Sequence, residues 1–199
     1  MKLLSILIPT TPDRGETLIR LKNELYRQIH ELKLEEQVDV DILETPLSKA
    51  HPTITAYTTG SKRNALVSNS QGKYYAFIDS DDMPSPNYLE LIMPGIYKDV
   101  DCCSLVGSIY FNGKKGKPFH HSIQYKEAWE DDKTYFRPIN HLNCVKKELV
   151  LPFLFQEKNF GEDMCWAMDV SNAGVLKNEY EINEVLYHYF VGEPKKEIV

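Results

Sequence analysis

YYAFIDSDDMPSP, residues 74–86, runs from an apolar segment directly into three aspartates. The apolar part of KYYAFIDSD predicts a buried β-strand over residues 73–81. Side chains alternate in an extended segment, so Asp79 and Asp81 would project to one side while Ser80 points away. Three carboxylates this close together repel one another unless they are solvated, cap a helix or are neutralised by a cation. On these residues alone, a turn leading into two prolines and a divalent-cation site are equally open.

The chain before this stretch alternates between strand and helix patterns. LLSILIPT, residues 3–10, and VDVDILE, residues 38–44, are apolar runs typical of strands. Apolar residues at three- and four-residue steps predict an amphipathic helix over residues 17–34. A second helix is predicted over residues 60–72, with Gly72 as its stop. This alternation favours an α/β layer with a largely parallel sheet, whose ligand site lies at the carboxyl ends of the strands.

The chain after this stretch contains further elements of both kinds. Ser85 followed by Pro86 is typical of a helix N-cap with proline at the first helical position. The later patterns predict two strands, at residues 101–113 and 117–125, joined by a basic loop at residues 112–117. They also predict a strand with a short helix at residues 143–153 and a longer helix at residues 161–174. A final strand is predicted at residues 181–192 and a polar tail at residues 193–199. The chain shows no internal repeat, and we interpret residues 1–199 as one domain.

The composition narrows the function classes. Hydrophobic residues make up 42% and charged residues 26% of the 199 residues, which is typical of a globular protein. A net charge of -6 argues against a nonspecific nucleic-acid binder. No apolar run approaches the roughly 20 residues that cross a bilayer, so we expect an intracellular protein with no transmembrane segment. The cysteines lack CxxC spacing, which predicts reduced thiols.

Three segments together carry a family resemblance. They are SILIPTTPDR (residues 5–14), GSKRNALVSNSQGKYYAFIDSDDMPSPNYLE (residues 60–90) and NFGEDMCWAMDVSNAG (residues 159–174). In order and spacing they resemble the successive signatures of family 2 glycosyltransferases, over roughly residues 3–190. The resemblance implies a GT-A-like, Rossmann-type α/β/α sandwich of three layers with a mixed, mainly parallel central sheet. It also divides the domain into a nucleotide-binding half (1–100), an acceptor and catalytic half (101–190) and a tail (191–199).

The resemblance also implies roles for individual residues. Its nucleotide contacts correspond to Pro9, Thr10, Thr11, Arg14, Glu44, Arg63, Asp79 and Ser80. Its metal ligand corresponds to Asp81, with Asp79 and His188 as further candidates, and the implied cofactor is Mn²⁺ or Mg²⁺. Its catalytic pair corresponds to Glu162 and Asp163, with Asp163 as the base. Glu44 departs from the family pattern, because the chain has LETPLS where Asp-Asp-Gly-Ser is usual.

Each of these residues also has an ordinary structural explanation. Arg63 could form a surface salt bridge, Thr10 and Thr11 could cap a helix, and acidic residues such as Glu162 and Asp163 are common at helix N-termini. His120, His121 and His141 fall in the half that would face an acceptor, and Trp129 and Trp166 could stack on a sugar or pack in the core. Lys62 could assist Arg63.

The resemblance implies a metal-dependent, inverting glycosyltransferase. It would move a sugar from a nucleoside diphosphate sugar, a UDP-sugar by expectation, to a hydroxyl of a glycan, a lipid-linked glycan or modified DNA. A nucleotidyltransferase is an alternative, although IPTTPDRGET, residues 8–17, has one glycine where a phosphate loop is rich in them. A non-catalytic nucleotide-sugar or glycan-binding module is another. We expect a cytoplasmic protein, either free in the cytoplasm or peripherally bound to a membrane.

Overall fold

The structure is a computed structural model that describes residues 2–44 and 58–192. The predicted loop between the second strand and second helix and the predicted polar tail lie outside these residues. The strands of the described residues are β1 (Leu4–Thr10), β2 (Val38–Glu44), β3 (Tyr74–Phe77), β4 (Met83–Pro84), β5 (Cys102–Cys103), β6 (Leu105–Phe111), β7 (Lys114–His121), β8 (Trp129–Glu130), β9 (Tyr135–Arg137), β10 (Val145–Lys146), β11 (Glu179–Tyr180) and β12 (Val185–Val191). The α-helices are α1 (Gly15–Glu31), α2 (Thr59–Asn69), α3 (Tyr88–Tyr97), α4 (Lys147–Val150) and α5 (Glu162–Ala173).

The strands form two mixed sheets. The first has the order β11-β5-β10-β3-β1-β2, in which β1 runs parallel to both β2 and β3. The short strand β10 runs antiparallel to β3 and β5. The second sheet has the order β4-β12-β6-β7-β9-β8. The predicted mixed α/β sheet is therefore confirmed, and the second sheet is an addition that the strand patterns did not separate.

Helices cover both faces of the first sheet. Every residue of β1 is buried, and its side chains alternate between the two faces. One face packs on α1 and α3, with Leu4, Ile6, Ile8, Leu21, Leu25, Leu89 and Ile92 in one core. The other face packs on α2 and α5, with Leu7, Phe77, Leu66, Val67 and Trp166 in a second core. These layers are the three-layer sandwich that the sequence predicts.

Several predicted boundaries are wrong by a few residues. β3 ends at Phe77, and the amide of Asp82 donates to the carbonyl of Asp79, so the acidic residues form a turn and not an extended strand. Helix α3 begins at Tyr88 after Asn87, because the carbonyl of Ser85 closes a separate turn with the amide of Tyr88. Ser85 is therefore not the N-cap.

The predicted basic loop at residues 112–117 is mostly strand. Asn112 and Gly113 alone make the connection between β6 and β7, both with positive φ angles of 47° and 76°. Asn-Gly is the pair favoured in a two-residue hairpin turn, because both positions need φ above zero. The lysines that follow belong to β7. Within the described ranges, we also find no helix with the length and apolar character needed to cross a membrane.

Candidate active site

The predicted nucleotide residues meet at one edge of the first sheet. Because β1 is parallel to β2 and β3, the carboxyl ends of all three strands lie at the same edge. Thr10 pairs directly with Glu44 in this register, and Asp79 lies two residues beyond the end of β3. Pro9 and Thr10 are buried, whereas Glu44 is exposed. The structure thus brings Pro9, Thr10, Glu44 and Asp79 to the edge where an α/β sheet carries its ligand.

Arg63 of α2 joins the two acidic motifs. Its Nη2 donates to Asp79 Oδ1 at 3.0 Å, and its Nε donates to Glu162 Oε1 at 3.2 Å. The guanidinium lies over the ring of Phe77 at 5.1 Å, and the residue is only 3% exposed. Burial alone would lower the pKa of Arg63, but Asp79 and Glu162 raise it, so it stays a cation. Arg63 is therefore a buried link and not the surface salt bridge that the sequence left open.

Lys62 places a second positive charge at the end of β1. Its Nζ donates to the carbonyl oxygen of Thr10 at 3.3 Å. Burial, and then the neighbouring charge of Arg63, lower the pKa of this lysine. An anionic ligand at this edge would relieve that repulsion.

Asp79 is an ionised carboxylate among cationic and polar partners. Burial would raise its pKa, but the charge of Arg63 and the contact with His141 together hold the pKa of Asp79 well below its usual range. His141 Nε2 lies 3.5 Å from Asp79 Oδ2, and His141 Nδ1 lies 3.7 Å from Asp163 Oδ2. His141 therefore stands between the Asp-x-Asp turn and the Glu-Asp pair, a position that the sequence did not reveal.

Asp81 lies closer to solvent and faces a different cation. Its Oδ2 is 2.9 Å from Nη1 of Arg14, and its side chain is 34% exposed. Burial raises the pKa of Asp81, and the charge of Arg14 opposes that rise. Arg14 and Asp81, predicted as nucleotide contact and metal ligand, are thus adjacent.

Asp82 fixes the acidic turn to the second sheet. Its Oδ2 accepts a hydrogen bond from the hydroxyl of Tyr187 at 2.8 Å, and its Oδ1 accepts one from the amide of Phe190 at 2.9 Å. The same Tyr187 hydroxyl accepts a hydrogen bond from the amide of Asp79 at 3.1 Å. Burial, and then repulsion from Asp79, raise the pKa of Asp82 well above its usual value. The family resemblance assigns no role to Asp82, and the contacts give it an anchoring role.

Glu162 and Asp163 begin α5. Gly161 precedes them with a φ of 72°, a left-handed conformation that favours glycine. Two hydrogen bonds between Asn64 and the backbone of Phe155, both 2.8 Å, hold the preceding segment against α2. The ring of Phe155 stacks on Trp166 at 5.2 Å, which confirms the core position for that tryptophan. Asp163 keeps 35% of its side chain exposed, so a ligand can reach its carboxylate.

Other predicted residues have separate positions. Ser80 is buried in the acidic turn, and Thr11 precedes the short 3-10 turn before α1 without capping it through its side chain. His188 is half-buried on β12, with Nδ1 3.3 Å from the hydroxyl of Tyr110. Burial, and then Lys115, lower the pKa of His188. His188 pairs with Met83, the residue after Asp82, but forms no ion pair with an acidic side chain among the described residues.

Two of the predicted acceptor-side histidines are buried. His121 is only 4% exposed, and its Nδ1 lies 3.1 Å from Asn143 Oδ1, so it does not face an open acceptor site. His141 is likewise buried, within the acidic cluster. Among residues 2–44 and 58–192, no group of three or more His, Cys, Asp or Glu side chains is arranged to hold a metal ion.

The sequence of this chain is similar to a family model and to a curated protein. A family model described as "Glycosyl transferase family 2" matches residues 57–160. An uncharacterized glycosyltransferase of Methanocaldococcus jannaschii is 25% identical over 134 residues, which are 65% of this chain and 46% of that protein.

Solved structures of S. aureus TarS share the fold. The crystal structure of TarS 1-349 has a TM-score of 0.62 and 16% identity, covering 96% of this chain and 60% of that one. TarS 1-349 in complex with UDP-GlcNAc has a TM-score of 0.61 and 16% identity, covering 100% of this chain and 62% of that one. The chain therefore spans about half the length of the curated relative and about three-fifths of TarS 1-349.

Proposed function

Because the chain belongs to glycosyl transferase family 2, whose model matches residues 57–160, we propose that it transfers a sugar from a nucleoside diphosphate sugar to a hydroxyl acceptor. The observation that carries this proposal is the link through Arg63 between Asp79 and Glu162. It joins the acidic turn at the sheet edge to the start of α5, where Asp163 lies. Two acidic groups with different environments suit two roles in one reaction.

The donor would bind at the carboxyl edge of the first sheet. Lys62 and Arg14 supply positive charge near an anionic diphosphate, while Asp79 supplies a fixed acceptor for ribose hydroxyl groups. The TarS structure with UDP-GlcNAc supports a UDP-sugar as the donor for this chain too. Glu44, which pairs with Thr10 in the sheet register, is the residue that we assign to the heterocyclic base of the nucleotide.

Asp163 is the residue that we assign as the catalytic base. The acceptor hydroxyl oxygen attacks the anomeric carbon, the bond from that carbon to the diphosphate oxygen breaks, and the hydroxyl proton passes to a carboxylate oxygen of Asp163. A positioned base of this kind contributes about 10²–10⁴-fold to the rate. A single displacement inverts the anomeric configuration. Glu162 stays bound to Arg63, so its part is to place the start of α5.

One carboxylate of the site, that of Asp81, is suited to binding a divalent cation. Asp81 offers a partly exposed, hard oxygen ligand, and Mg²⁺ is commonly held by one or two carboxylates together with substrate phosphates. Asp81 would hold Mn²⁺ or Mg²⁺, which when bound neutralises charge on the departing diphosphate. Asp79 is already engaged by Arg63 and His141, which makes it the less suitable ligand.

The test is a donor panel. The protein is incubated with UDP-, GDP- and dTDP-sugars and Mn²⁺, and nucleotide release is followed by mass spectrometry with water as the acceptor. We expect release of UDP from at least one UDP-sugar. No turnover of any donor, together with no binding of UDP by calorimetry, would contradict the proposal. The cytoplasmic location and the acceptor class stay predictions.

A further inference from the structure

His141 occupies a fixed position at the centre of the site. Its carbonyl accepts the amide hydrogen of Phe77 at the end of β3, so its backbone is tied to the sheet edge. The turn that carries it is closed by Asn140 and Asn143, whose side chains accept backbone amide hydrogen bonds within that turn. The residue is 4% exposed. Little freedom remains for the ring to turn elsewhere.

Both ring nitrogens face carboxylates without reaching hydrogen-bond geometry. Nε2 lies 3.5 Å from Asp79 Oδ2 and Nδ1 lies 3.7 Å from Asp163 Oδ2, and neither nitrogen has a hydrogen-bond partner among the described residues. A buried polar atom left without a partner is costly, and such atoms are few in native structures. Hydrogen bonds of active sites are often long before substrate binds and tighten in the complex.

Asp163 depends on this contact more than Asp79 does. Asp79 is held by Arg63 as well, whereas the Asp163 carboxylate makes no hydrogen bond within the described residues and lies 3.7 Å from Nδ1 of His141. A base that must meet an acceptor hydroxyl needs a defined orientation. His141 is the side chain placed to provide it.

We propose that His141 is a positioning residue that orients Asp163 for proton transfer and couples it to Asp79 in the donor site. The inference rests on the proposed function, in which Asp163 is the base. It goes further, because neither Arg63 nor Glu162 contacts the reactive carboxylate through a hydrogen bond. His141 itself exchanges no proton with the acceptor.

The two contacts can be separated by substitution. The amide nitrogen of asparagine stands near the place of histidine Nδ1, and that of glutamine near the place of Nε2. His141→Asn therefore keeps a donor toward Asp163, His141→Gln keeps one toward Asp79, and His141→Phe removes both. His30→Phe is the matched control, since the side chain of His30 is 87% exposed on α1.

Steady-state hydrolysis of the best donor sugar gives the main readout. We expect His141→Phe to lower kcat by about 10²-fold, as a small misplacement of a catalytic group does. His141→Asn should keep kcat close to wild type and raise the donor KM. His141→Gln should lower kcat and keep the donor KM close to wild type. A His141→Phe protein whose kcat and KM both stay within about twofold of wild type would overturn the proposal. If His141→Phe does not fold, the test rests on the opposite changes in kcat and KM expected for His141→Asn and His141→Gln. Identical kinetics of these two variants would overturn the proposal.

A second readout does not need turnover. If the wild type turns over no donor, the proposed function fails, and a thermal double-mutant cycle of His141→Phe and Asp163→Asn alone decides on the positioning contact. We expect the losses in Tm to deviate from additivity by about 2 °C or more. Losses in Tm that are additive within error would overturn the proposed contact between His141 and Asp163.

Discussion

Asp79, Asp81 and Asp82 carry the same side chain, yet each has different partners. Asp79 binds Arg63, Asp81 faces Arg14, and Asp82 accepts hydrogen bonds from β12. The pKa of Asp79 is lowered because Arg63 and His141 outweigh its burial, whereas burial raises the pKa of Asp82. The three residues of one turn therefore suit nucleotide contact, cation binding and anchoring.

The sequence predicted the first two of these roles and not the third. The acidic turn and the Glu-Asp pair are local motifs, so a resemblance could identify them. The roles of Asp82 and His141 depend on Tyr187, Phe190 and Asp163, which lie far along the chain from them. Local spacing contains no information about contacts of that kind, and one sequence offers no pattern of covariation to supply it.

Removal of Arg14 should expose Asp81 to cations. Because Nη1 of Arg14 lies 2.9 Å from Asp81 Oδ2, the guanidinium competes for that oxygen. A partly exposed ion pair is worth about 0–1 kcal/mol, so Arg14→Ala should tighten Mn²⁺ binding without nucleotide by up to about fivefold. Calorimetric titration with Mn²⁺ measures this. Arg20→Ala on the exposed side of α1 is the control, and a weaker Mn²⁺ affinity in Arg14→Ala than in Arg20→Ala would contradict Asp81 as the ligand.

At the scale of elements, the apolar patterns of the sequence predicted several strands and helices correctly. The sequence predicted β1, β2, α1, α2, α5 and β12 from apolar runs, helical spacing or a glycine stop, and each of them buries residues in a core. The two-residue strands β4, β8 and β11 were not, since so short a pairing depends on its neighbour and leaves no pattern of its own. The pairing of β4 with β12 is nonetheless what ties the acidic turn to the second sheet.

The segment before α5 packs closely against α2 at Gly60. A Cβ at Gly60 would stand 1.8 Å from the carbonyl oxygen of Gln156, a contact that backbone atoms cannot relieve without moving. We expect Gly60→Ala to lower the free energy of unfolding by about 1–3 kcal/mol, the usual cost of overpacking. Urea denaturation measures it.

Gly15→Ala is the matched control for Gly60→Ala. Gly15 begins α1 in a right-handed helical conformation, and a Cβ there would meet no atom within 4 Å. Since alanine favours helix over glycine, stability should be unchanged or increased by up to about 1 kcal/mol. Equal effects of the two substitutions would contradict the close packing inferred at Gly60.

At the scale of the whole molecule, the two sheets are joined by buried polar contacts. His121 of β7 in the second sheet contacts Asn143, whose Nδ2 donates to the carbonyl of Cys103 in β5 of the first. Burial lowers the pKa of His121 to about 3, although the Asn143 contact opposes the shift. The folded protein thus holds this histidine neutral where an unfolded chain would begin to protonate it.

The free energy of unfolding should therefore decrease as the pH is lowered through a defined window. A depressed folded pKa means that the contribution of His121 is complete above the unfolded pKa of about 6.5 and is lost as pH falls toward about 3. Relative to His121→Phe, the wild type should lose about 2 kcal/mol of unfolding free energy between pH 7 and pH 5. Urea denaturation at both pH values measures the difference. Parallel losses in the two proteins would show that His121 is not the group responsible.

The central claim, that the carboxyl edge is a sugar-transfer site with Asp163 as its base, is tested most directly by comparing donor turnover in the wild type and Asp163→Asn. Asp169→Asn makes the same change on the exposed side of α5 and is the control. We predict a loss in kcat of about 10²–10⁴-fold for Asp163→Asn alone, with UDP affinity unchanged, because the base acts on the acceptor and not on the nucleotide. Wild-type turnover by Asp163→Asn would contradict the account.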